Sequence, residues 1–113
     1  MQTNNFLIIS TSNIGVIEEL RSWLCGEFVV SEISSSKNSL GLDLSQIKVL
    51  IDKSKQTIEK FIEIIKNWFS NYNKDVELTF ENGEKKATVK CPARRVNDQE
   101  LEQVFSSLEH FFD

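Results

Sequence analysis

Histidine occurs once in this sequence, proline once, cysteine twice and glycine four times in 113 residues, and each shortage removes a class of chemistry. A nucleophilic hydrolase needs a serine or cysteine with a histidine base. The single His110 stands between Glu109 and Phe111 in a helical pattern, where it reads as a helix-surface residue near a C-terminus that favours positive charge. Cys25 and Cys91 are far apart and lack CxxC spacing, so both read as small core side chains rather than as a disulfide or redox pair. No cluster of His, Cys and carboxylates has ligand spacing, so neither a metal nor any other cofactor is expected. Gly15, Gly26, Gly41 and Gly83 are scattered, and neither GxGxxG nor GxxxxGK can be written. No pair of carboxylates stands out as an acid–base couple, and the expectation is that the chain is not an enzyme.

Long apolar runs and excess positive charge are also missing. The opening segment MQTNNFLIIS has no basic region and an apolar run of only four residues. Neither a signal peptide nor a membrane span is expected, and the expected location is the cytoplasm. With 17 acidic against 13 basic residues the net charge is −4, which disfavours nucleic acid as a partner because that contact needs a basic face to displace counterions. The one local basic group, Lys85, Lys86, Lys90, Arg94 and Arg95, reads as a solvated face.

What the chain does have is packing material: 40% hydrophobic residues, with eight Phe and two Trp. That suits a single domain over residues 1–113 with one core. Phe6, Leu7, Ile8 and Ile9 suit a buried strand. Val16, Ile17, Leu20, Trp23 and Leu24 then recur at helical spacing, with Ser12 or Asn13 as N-cap and Gly26 as a left-handed stop. Residues 27–33 carry Phe28, Val29, Val30 and Ile33 and read as a second strand, while the serine-rich stretch that follows reads as a mobile loop over residues 34–44. Residues 46–52 read as a third strand.

The clearest pattern is a helical stripe of Ile58, Phe61, Ile62, Ile65, Trp68, Phe69 and Tyr72. Burying each such side chain contributes roughly 1.5–3 kcal/mol as an upper estimate, making this helix the main source of apolar burial. Next, Val76, Leu78 and Phe80 alternate with polar residues up to Asn82-Gly83, a hairpin signal that would set Glu81 opposite Glu84 and Leu78 opposite Ala87. Pro92 closes the returning strand. Asn97 and Glu100 form a capping arrangement before a last helix with Leu101, Val104, Phe105, Leu108, Phe111 and Phe112 on its stripe.

The expected architecture is α+β in the order β-α-β-β-α-β-β-α. A mixed sheet of four to five strands carries three helices mainly on one face and a polar surface on the other. Adjacent aromatics, Trp68-Phe69 and Phe111-Phe112, cannot both face one narrow stripe. One of each pair is therefore expected to be exposed, which makes Trp68 and Phe112 candidate contact residues.

This layout resembles the effector-associated constant component domains of bacterial multi-component conflict systems. The resemblance rests on the strand Phe6 to Ile9, the helix segment Glu19, Leu20, Arg21, Ser22, Trp23 and Leu24, the helix over residues 57–68 ending in Trp68, the hairpin over residues 76–83, and the joint Ala93, Arg94, Arg95 and Val96. It covers nearly the whole chain but consists of packing motifs. It implies a non-catalytic adaptor linking an effector-bearing protein partner to an NTPase or protease component; the resemblance carries over no site residues, and Arg94 and Arg95 are expected contact residues from their position after the hairpin. Two other classes compete with it: a toxin-neutralising immunity protein, suggested by small size and acidic charge, and a small ligand-binding domain or enzyme without a motif. Self-association through either strand of the hairpin or a helix face would make a homo-oligomer.

Overall fold

The computed structural model describes residues 5–52, 54–71, 75–83, 85–91 and 98–112. They form β1 (Asn5–Thr11), α1 (Ile14–Leu24), β2 (Val29–Val30), β3 (Ser34–Lys37), β4 (Asp43–Ile51), α2 (Lys55–Ser70), β5 (Val76–Asn82), β6 (Lys85–Cys91) and α3 (Asp98–Phe111). The α+β class and three helices agree with the sequence reading. The sheet differs: it has six strands rather than four or five, in the order β2-β4-β1-β5-β6 with β3 also on β4. Every pairing among the described residues is antiparallel, so the sheet is not mixed.

β1 sits in the middle because its alternate residues Leu7 and Ile9 face the core between Val49 and Ile47 of β4 and, for Ile9, Phe80 of β5. Val76, Leu78 and Val89 continue the same buried face toward β6. Three helices cover that face. α1 contributes Val16, Ile17, Leu20 and Leu24, α2 contributes Phe61, Ile62, Ile65, Trp68 and Phe69, and α3 contributes Phe105, Leu108 and Phe111. Phe61 ties the layers together, edge-on to Phe28, Phe80 and Phe112 with ring centroids 5.7, 6.3 and 5.9 Å away.

Local chemistry fixes the helix ends. Asn13 Oδ1 accepts from Gly15 N–H at 2.9 Å and caps α1, and Ser54 Oγ accepts from Thr57 N–H at 3.2 Å and caps α2. Gly26 is not the left-handed stop expected of it, since positive φ occurs only at Gly41 and Gly83 among the described residues. α1 ends instead through right-handed Cys25, with Glu27 and Phe28 N–H groups both donating to Leu24 O. Cys25 is exposed rather than a core side chain. Trp23 leaves the core stripe as well and is 40% exposed. Tyr72, Pro92 and Asn97, assigned structural roles above, lie outside the described residues.

The serine-rich segment is the largest departure. Ser34–Lys37 is a strand, hydrogen-bonded to β4 in a hairpin whose loop is organised by one side chain. Asn38 Oδ1 accepts from Leu40 and Leu42 N–H at 2.9 and 3.0 Å, and Gly41 takes φ +79°, where a side chain would strain the turn. β1 occupies one edge of β4, so β2 and β3 share the other. Val30 pairs with Val49 and Ser34 with Gln46, so three residues of the edge chain oppose two of β4. That is a β-bulge. At the bulge the Ser31 carbonyl turns away to accept from Arg21 Nε at 2.8 Å, and the Ser31 hydroxyl takes its place in the ladder, accepting from Lys48 N–H at 2.8 Å.

The β5–β6 hairpin forms, two residues out from the expected register. Leu78 pairs with Val89 and Glu81 with Lys86, and Gly83 takes φ +63° at the turn. An even shift keeps the apolar residues on the same face. It also replaces a Glu81–Glu84 apposition with Glu81–Lys86 and Glu77–Lys90 ion pairs, both 3.7 Å. β5 is an interior strand, so of the two hairpin strands named as pairing edges only β6 is an edge.

Candidate functional site

Of the residues singled out from the sequence, those described present no shared surface. Arg94 and Arg95 lie outside the described residues. Trp68 and Phe69 are both buried, with Trp68 0% exposed, so neither offers surface to a partner; the helical stripe is wide enough to hold both because α3 covers its flank, with Phe105 5.1 Å from Phe69. Phe111 is buried and Phe112 half-buried; the two rings pack edge-on, and Phe112 also packs edge-on against Phe61. Lys86 and Lys90 are each ion-paired across the hairpin, which breaks up the basic group on β6. His110 is exposed in the last turn of α3. Among the described residues no three His, Cys, Asp or Glu side chains gather into a metal-binding group, and no helix is long and apolar enough to cross a membrane.

The described residues form two concavities of note. One, of about 680 Å³, runs between α2 and α3 over Ile58, Ile62 and Phe112, and its rim carries Glu59, Glu63 and Lys66. Lys66 spans it to Glu109 at 3.5 Å, so this groove is a helix–helix seam closed by an ion pair. At the start of α2, the Ser54 hydroxyl, then the Ser54 N–H at 2.8 Å and the Thr57 hydroxyl, hold the Asp52 carboxyl below its ordinary value. That arrangement caps a helix.

The second concavity, of about 600 Å³, lies on the helix-free face of the sheet. Its position follows from the strand registers. Thr88 pairs with Thr79, Thr79 with Ser10, Ser10 with Gln46, and Gln46 with Ser34, so one row of hydroxyl and amide side chains crosses five strands. Ser36, Lys37, Asn38 and Ser39, from β3 and its loop, wall one side, and Glu81 and Lys86 wall the other. Ser10 is only 6% exposed although no helix covers it. Four residues back along β1, the character of the face changes: Phe6 pairs with Leu50 and Leu50 with Val29, an apolar row in which Phe6 is 57% and Val29 71% exposed.

Sequence reasoning missed this site because its residues come singly from separate strands and none belongs to a motif. One signal was present: Ser10 interrupts the polarity pattern at the end of an apolar strand. The segment over residues 34–44, read as a mobile loop, supplies one wall of the trough. Comparisons with family models, curated proteins and solved structures give no match to the chain.

Proposed function

We propose that the protein is a non-catalytic adaptor of a bacterial conflict or signalling system, and that the open face of its sheet is where it holds an effector-bearing protein partner. The observation that carries this reading is the apolar row of Phe6, Leu50 and Val29 on a face that no helix covers. Scattered exposed apolar residues are ordinary, whereas a contiguous row on a flat sheet is the kind of surface that protein contacts use. An adaptor needs no reactive group, and the charged pairs around the row keep the face hydrated until a partner displaces water from its apolar strip. The resemblance to the constant component family supplies the partner class: an effector-bearing chain on one side and an NTPase or protease component on another.

The test is co-purification with the products of the genes that flank this one, followed by affinity measurement with Phe6→Lys and Val29→Lys. The expected result is a complex that weakens at least tenfold in each variant while the melting temperature stays within a few degrees. Failure of every flanking product to bind, or binding by both variants as tight as the parent's, overturns the proposal.

A further inference from the structure

We propose that the trough centred on Ser10 is a binding site for an uncharged, polyhydroxylated small molecule, a cyclic polyol or small saccharide. This goes beyond the adaptor reading and does not depend on it. The first observation is Ser10 itself. Its residue is more than nine-tenths buried at the floor of the cavity, yet its hydroxyl has no hydrogen-bond partner among the described residues. The hydroxyl oxygen is not itself sealed from solvent, so it opens to the cavity, where an external group can complete the bond.

The second observation is what surrounds it. Thr79, Thr88 and Gln46 flank Ser10 in register, and their side chains likewise make no hydrogen bond among the described residues. Each hydroxyl both donates and accepts, and the amide does the same through separate atoms. A ligand rich in hydroxyls matches such a floor from any direction, whereas a phosphate needs donors only and a metal needs acceptors only.

Charge points the same way. The lining holds two cations, Lys37 and Lys86, and two anions, Glu77 and Glu81, so it is neutral as a set. All four are ion-paired: Lys37 with Asp43 at 3.4 Å, Lys86 with Glu81 and Glu77 with Lys90 at 3.7 Å. No unbalanced field attracts an ionic ligand. The 600 Å³ volume lies within the range of small-molecule sites, and a lining with Leu44 as its only apolar residue selects a polar occupant.

The experiment is an amide chemical-shift titration of the full chain with myo-inositol, glucose and maltose as neutral probes, and with inorganic phosphate and glutamate as ionic ones. The expected result is saturable, millimolar-range shifts from at least one neutral probe, concentrated at Ser10, Gln46, Thr79 and Thr88. Ser10→Ala and Thr88→Val should each weaken it at least tenfold. Thr88 is exposed, so its variant tests the site without disturbing the fold, and Phe6→Lys should leave sugar binding unchanged. The proposal is overturned by the absence of saturation with every neutral probe, by affinity equal to the parent's in both trough variants, or by tighter binding of phosphate or glutamate.

Discussion

The two hairpins, β3–β4 and β5–β6, are both antiparallel and close through a glycine with positive φ, yet they are held in opposite ways. In β5–β6 the strands are specified by burial: Val76, Leu78 and Phe80 alternate into the core, and the outward residues form charge pairs. In β3–β4 the outer strand is four residues with none buried. Its strand character comes from the free edge of β4, from the Asn38 turn and from the Ser31 bulge. A strand that buries a face announces itself by period two, and a strand that only fills an edge does not.

That contrast can be broken from either side. Phe80→Ala removes a fully buried ring that packs against Phe61 and should cost about 3–5 kcal/mol, read as a lower urea midpoint. Paired alanines at Ser34 and Ser35 should stay within about 0.5 kcal/mol of the parent. Ser31→Ala leaves the Lys48 N–H without its acceptor, so the expected loss is about 1 kcal/mol. Faster amide exchange at Lys48, with β5–β6 unaffected, would locate that loss at the bulge.

Glu81→Lys places like charges opposite each other on β5–β6 and should destabilise by about 0.5 kcal/mol, an amount that shrinks as salt is added. The smallest effect belongs to Asp52. Its carboxyl titrates lower in the folded than in the unfolded chain, so its contribution is present above the unfolded value and is lost as pH falls through the folded one. Asp52→Asn should therefore flatten the acid limb of a stability–pH curve, with the small difference from the parent present near neutrality and closing as pH falls through the folded value.

Legibility from sequence followed burial. The α2 stripe from Phe61 to Phe69 and the β5 alternation were readable because one face of each meets the core. Trp23 misled because its spacing continues the α1 stripe while its side chain overhangs the edge of the packing. Trp68 and Phe69 misled in the opposite direction, since spacing on one helix cannot show that a second helix covers its flank. The trough was not legible at all. Ser10, Gln46, Thr79 and Thr88 are far apart in the chain; Thr79 and Thr88 lie in a hairpin expected in a different register, and the strands of Ser10 and Gln46 had no partner assigned.

By itself the sequence determined the α+β class, the three helical stripes and the existence of the β5–β6 hairpin, because periodic apolar residues dictate which backbone period buries them. It also determined the scarcity of catalytic side chains. Only the tertiary structure decided that β1 lies at the centre, that Ser34–Lys37 becomes a strand, and that a row of hydroxyls crosses one face beside a row of apolar side chains. Those features depend on register between distant segments, and register is fixed by the summed packing of the whole sheet rather than by any local run of residues.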